Sequence, residues 1–138
     1  MQTLTSSAAS GRTAALVAGD ALALLVFAAI GRANHGEASG LAAIAQVAET
    51  AAPFALAWFA AAALLGGFDA SKTATVRSML GRTALAWLIA WPIGLGLRAL
   101  IRQSAVPLSF AIVTLLTVLL ILGGWRALFA IVERRRAA

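Results

Sequence analysis

One carboxylate stands where a carboxylate is costly. Asp20 interrupts an apolar run that lies between Arg12 and Arg32. It comes about two helical turns after Arg12, so about 12 Å into the run at 1.5 Å per residue. An Asp near the middle of a bilayer costs about 2.5–3.5 kcal/mol on the insertion scale, and it normally faces a bundle interior with a partner. Two chemistries are open to it. One is a proton or ion site. The other is a hydrogen-bonded latch between helices. A relay needs a second titratable group at the same depth, and measuring the other apolar runs from Gly66, Arg82 and Arg126 finds none. It finds Trp58, Trp91 and Thr117 at about 12–14 Å, with Trp87 one turn closer to its charged end. Tryptophan ordinarily prefers the interface, and a buried indole N–H needs an acceptor. The expectation is an intramembrane polar layer of Asp20, Trp58, Trp87, Trp91 and Thr117, in which Asp20 accepts from one or more of the indoles.

A second group of polar residues gathers between the apolar runs. Arg32, His35 and Glu37 follow the first run, Gln46 and Glu49 precede the core of the second, and Arg98 and Arg102 close the third. They are expected to converge on one side of a membrane, with Glu49 paired to Arg98 or Arg32. An acid–base pair of His35 with Glu37, an anion or lipid-headgroup site on the arginines, and an ion-paired loop that fixes topology are all compatible with this set. A metal site is not expected: His35 is the only histidine, and about three or four ligands are needed. No catalytic residue and no cofactor site is assigned, because phosphate-loop, nucleophile-elbow and dinucleotide patterns are missing from the sequence.

The elements that carry these residues follow from composition. The chain of 138 residues is 62% hydrophobic and 12% charged, with a mean hydropathy of +0.92. A soluble domain is about 45–50% apolar and about 25% charged, and a chain this short has no core large enough to hide the excess. Lipid is the solvent that accommodates it. Apolar runs at about 13–30, 48–65 (the second starting as early as Leu41), 80–97 and 106–131 are long enough to cross as helices. The runs are continuous and rich in Ala and Leu, so the fold expected is an all-α, single-domain, four-helix membrane bundle. Asp20 and Arg32 argue against reading the first run as a cleaved signal peptide. With no cysteine, disulfides and thiolate chemistry are excluded. The net charge of +6 does not indicate nucleic acid, because the arginines punctuate apolar runs instead of lining one face.

The basic residues also set a direction. Arg12, Lys72, Arg77, Arg82, Arg126 and Arg134–Arg136 fall on one side, and Arg32, Arg98 and Arg102 on the other. The positive-inside rule then places both termini in the cytoplasm and the protein in the cell membrane. Gly11-Arg12-Thr13-Ala14 and Gly81-Arg82-Thr83-Ala84 open the first and third runs, a hint of a 2+2 parallel internal repeat. Pro92, followed by Gly94 and Gly96, is expected to kink or loosen the third helix, and Pro53 to begin or bend the second. Ala15, Gly19 and Ala23 form a small-residue stripe suited to close helix approach. The stretch Leu115–Leu122 is expected to face lipid or another subunit.

With Asp20, Gly31-Arg32, His35-Gly36-Glu37, Pro53-Phe54, Trp58 and Arg98 in this order, the chain resembles a domain-of-unknown-function family of small four-helix membrane proteins of bacteria and archaea. The resemblance covers about residues 12–130 and implies membership and topology, with no activity attached. Three functions stay open. The first is a non-enzymatic subunit or scaffold that packs with other membrane proteins or itself, in contact with membrane lipid. The second is a small transporter or channel using Asp20 and a helix broken at Pro92. The third is a lipid-headgroup-binding protein or enzyme at the outer face.

Overall fold

The computed structural model describes residues 2–33 and 39–138. They form α1 (Gln2–Ala33), α2 (Gly40–Leu64), α3 (Val76–Arg102) and α4 (Leu108–Ala137), and no strand occurs among the described residues. All four helices are long and apolar enough to cross a membrane. The chain is an all-α, multi-pass membrane protein. His35 and Glu37 lie outside the described residues.

The helices are longer than the apolar runs. α1 begins well before residue 13, α2 reaches back to Gly40, and α4 continues past Ile131 to Ala137. Ala, Leu, Arg and Glu are good helix formers, so the charged ends continue the helix into the polar region without a break.

Each helix packs against its neighbours in sequence, and α4 closes the ring on α1. Short connections make the neighbours antiparallel. Side-chain pairs record this directly. Arg12 meets Glu133 while Asp20 meets Arg126, and Trp87 meets Leu115 while Trp91 meets Ala111. α1 and α3 therefore run parallel across one diagonal. Such a ring accommodates a 2+2 repeat, yet the paired motifs differ in their contacts. Arg12 reaches Glu133 and the α2–α3 connection, whereas Arg82 reaches the α2–α3 connection alone.

One aromatic knot joins all four helices. Phe54 of α2 is fully buried, and its ring lies 6.1 Å from Phe27 of α1, 6.1 Å from Trp87 of α3 and 6.2 Å from Phe110 of α4. These spacings fall in the range for attractive edge and tilted contacts. Phe54 fits because α3 offers Gly94 opposite it, where a Cβ would overlap the ring. On the other seam, the Trp125 indole of α4 covers the backbone of α1 at Gly19. Pro92 does not interrupt α3, which is one helix through it. Proline removes a single N–H, and the turns on either side keep their own bonds and their packing on α2 and α4. Pro53 likewise sits inside α2, buried.

The ends of α2 and α3 are sharply written. Gly66 takes a left-handed conformation (φ +70°) just past α2. The Gly67 N–H then donates to Ala62 O at 2.7 Å and the Gly66 N–H to Ala63 O at 3.1 Å, a Schellman closure. α3 opens on a capping box, with the Ser78 N–H on Thr75 Oγ1 at 3.0 Å and the Thr75 N–H on Ser78 Oγ at 3.1 Å. Between them, Asp69 accepts from the Ser71 hydroxyl and N–H, which hold its carboxyl below the usual carboxylate range.

Filling the α2–α3 seam tests the packing. Gly94→Val drives a branched side chain into the Phe54 ring, and overpacking of this kind costs about 1–3 kcal/mol. A lowered melting temperature in detergent is expected. Gly94→Val with Phe54→Leu is expected to recover part of it. Unchanged melting of the single variant removes this account of Gly94.

Candidate functional site

Asp20 and Arg126 are the most enclosed charges in the bundle, each with no exposed surface. Their groups meet as a fork. Arg126 Nε donates to Asp20 Oδ1 at 3.0 Å and Nη2 to Oδ2 at 2.6 Å. The Trp58 indole N–H also donates to Oδ2, at 3.0 Å. Both carboxylate oxygens are thus occupied. The remaining guanidinium nitrogen, Nη1, donates to Gly67 O at 2.8 Å and faces Met79 Sδ at 3.6 Å. The guanidinium lies 5.0 Å from the Trp58 ring and 5.0 Å from the Phe68 ring, a cation–π arrangement on both. One ion pair therefore draws in α1, α2, α4 and the α2–α3 connection.

Local structure explains the fit. Two helical turns separate Asp20 from Phe27, so the carboxylate shares the inward face of α1 with that knot residue. The Schellman turn leaves the Gly67 carbonyl free to accept from Arg126 instead of continuing α2. Arginine suits the position because its planar fork matches a carboxylate with two parallel bonds and stays charged in an apolar site.

A second arginine layer lies toward the end that carries both termini. Arg12 Nε donates to Glu133 Oε1 at 2.6 Å, and Nη2 to Glu133 Oε2 at 3.1 Å and to Thr73 Oγ1 at 2.9 Å. Arg12 Nη1 donates to Phe68 O at 3.3 Å. From α3, Arg82 donates to Leu65 O through Nη1 and to Lys72 O at 3.1 Å through Nε. Three arginines from three helices thus hold the carbonyls of one connection. Helix α2 directs the negative end of its dipole there, which favours each of them.

The residues singled out in the sequence distribute differently from the expected layer. Trp58 is on Asp20. Trp87 and Trp91 instead donate to the α4 carbonyls of Leu115 at 3.0 Å and Ala111 at 2.9 Å. Thr117 is only half-buried and makes no side-chain hydrogen bond in the described structure, while Thr114 is the buried threonine of α4. The difference follows from Arg126, which is interior and does not mark the membrane boundary of α4; the helix continues to Ala137. At the level of Asp20, α4 presents Arg126 itself.

The polar residues at the other end do not form one cluster among the described residues. Arg32 Nε donates to Gln46 Oε1 at 3.2 Å. Glu49 is exposed and makes no ion pair among the described residues, so its expected pairing with Arg98 or Arg32 is not present. Arg98 lies over the Phe110 ring at 4.4 Å, and Arg102 is exposed. No group of three or more metal-ligating side chains occurs among the described residues.

A family model described as a protein of unknown function (DUF3054) matches residues 17–129. The chain belongs to this family. The matched segment takes in Asp20, Trp58 and Arg126 and leaves out Arg12 and Glu133. No curated protein and no solved structure matches the chain.

Removing either partner of the buried pair leaves an uncompensated charge, which costs about 3–5 kcal/mol. Asp20→Asn and Arg126→Met are each expected to lower the melting temperature strongly, and the double variant to lose less than the sum. Additive losses in that cycle mean that the pair is not coupled. Trp58→Phe keeps the ring and removes one donor, an expected loss of about 1–3 kcal/mol.

Proposed function

We propose that this DUF3054 member is a non-enzymatic subunit or scaffold that packs with other membrane proteins or with itself. The observation that carries the reading is the enclosure of Asp20. Its oxygens are occupied by Arg126 and Trp58, and no part of it is exposed. Moving a proton or ion through this site requires separating a forked pair in apolar surroundings, a poor design for a relay. What the bundle presents outward is apolar along every helix, including Leu22, Leu56, Leu88, Leu116 and Leu120. Lipid covers such a surface, and so do neighbouring helices.

The orientation belongs to the same proposal. Arg126 pairs with Asp20 inside the bundle, so it drops out of the charge balance. Lys72, Arg77 and Arg134–Arg136 are exposed at the end that carries both termini, and they support placing that end in the cytoplasm of a cell membrane.

The absence of cysteine makes the orientation testable by single introduced thiols. Ala70→Cys lies in the α2–α3 connection and Ser104→Cys in the α3–α4 connection, both exposed. A membrane-impermeant maleimide applied to intact cells is expected to label position 104 and spare position 70. The reverse pattern inverts the topology. For the packing, a photo-reactive residue is placed at Leu88, Leu116 or Leu120 in native membranes. Adducts to a membrane protein or a second copy are expected from at least one face. Lipid adducts alone from every face overturn the scaffold reading.

A further inference from the structure

Two guanidinium groups stand beside one recess, and no acid among the described residues pairs with either. Arg98 and Arg102 sit one turn apart at the end of α3, and with Ser104, Ala105, Val106 and Pro107 they line a recess of about 60 Å³. That is room for a group of a few heavy atoms. Like charges in an i, i+4 relation repel. Neither arginine makes a salt bridge or a side-chain hydrogen bond among the described residues, and Glu49, the acid expected to pair with Arg98, is not paired with either. This contrasts with Arg12, Arg82 and Arg126, all of which are held by internal acceptors.

Arg98 is nevertheless fixed in place. Its guanidinium carbon lies over the Phe110 ring, 4.4 Å from the centroid. A cation held against a ring in this way keeps N–H groups available for an acceptor. α4 starts at this recess, and its N-cap is Pro107, which supplies no side-chain cap. The positive end of that helix adds to the field of the two arginines. The recess is also at the right depth. It closes the end of two membrane-crossing helices, where the phosphates of a lipid leaflet lie.

We propose that Arg98 and Arg102 form a phosphate-binding site, with Ser104 as a third donor and the phosphodiester of an anionic phospholipid as the ligand class. The site is independent of whether the bundle has protein partners. It differs from a polybasic surface patch in that both arginines line one recess, so a single phosphate held there would be shared between them. The same chemistry fits free inorganic phosphate, and the ligand source is decided by experiment.

The purified full chain in detergent is loaded with short-chain phosphatidylglycerol, and retained lipid is counted by native mass spectrometry. Phosphatidylcholine serves as the zwitterionic comparison, and inorganic phosphate is added as a competitor. The expected result is retention of about one phosphatidylglycerol per chain in preference to phosphatidylcholine. Each arginine removed is expected to weaken it roughly tenfold, as for a lost charge-assisted contact. Arg98→Gln/Arg102→Gln then loses the preference. Arg102→Gln alone is an exposed substitution, and it carries the test if the double variant does not fold. Arg134→Gln/Arg135→Gln/Arg136→Gln is expected to keep the bound lipid. Displacement by inorganic phosphate keeps the site and reassigns its ligand to the free anion. Equal retention by the Arg98 and Arg102 variants, or loss only in the carboxyl-terminal triple variant, overturns the proposal.

Discussion

A charge that cannot reach water must find its counter-charge inside the protein, and the placement of Asp20 follows from that requirement. Hydrocarbon offers neither hydrogen bonds nor screening, so Asp20 constrains every helix near it. Arg126 answers with two parallel bonds, which fix direction as well as distance. A lysine would bring one point charge and leave the relative rotation of α1 and α4 free. Van der Waals packing between apolar helices is permissive, because lipid tails are as apolar as leucine. The forked pair removes that freedom. It sets how far α4 slides along α1, and the Trp58 N–H brings α2 to the same level.

The pair also accounts for the α2–α3 connection. A helix leaves its last carbonyls without intrahelical partners. In α2 the Schellman turn at Gly66 satisfies two of them, and the carbonyls that follow the helix, at Leu65, Gly67 and Phe68, are left to others. Arg82, Arg126 and Arg12 supply those bonds from three different helices. Thr73, fully buried, adds its hydroxyl to Arg12 and donates to Asp69 O at 2.7 Å. A connection that reads as an ordinary polar loop is therefore the structural plug of that end. Bonds to a charged donor contribute about 1.5–3 kcal/mol each, so the plug adds to the apolar cluster of Leu16, Met79 and Ala130 at that end.

Four crossings and their all-α nature were legible because they depend on composition and run length, which survive without a partner list. The depth of Asp20 was legible for the same reason, and so was its acceptance of an indole N–H, which Trp58 supplies. Arg126 was misplaced, and the reason is physical. Near a helix end, an arginine reads as an interfacial charge, and nothing local distinguishes it from one that points inward. The usable signal was charge balance at depth: a lone buried carboxylate calls for a cation, and Arg126 was the one arginine within the fourth apolar run. Trp87 and Trp91 enter the expected layer with Asp20 by their depth alone. Depth says nothing of azimuth, and both face α4, whose carbonyls accept them. Glu49 and Arg98 failed to pair because a shared side of the membrane does not imply a shared face of the bundle.

The two ends of the bundle now differ in a way that bears on function. At the end with both termini, Arg12, Arg82 and Arg126 have internal acceptors, and the polar groups are largely consumed by the fold. At the opposite end, Arg98 and Arg102 carry charge that the described structure does not neutralise. A protein can hold unpaired cations at an interface only if solvent or an anion meets them. Asp20 has the opposite character, since its environment is complete and closed. Perturbing Asp20 should therefore act through stability, whereas perturbing Arg98 and Arg102 should leave the fold and change what the surface holds. This asymmetry separates the residue that looked most functional in the sequence from the ones left available for recognition.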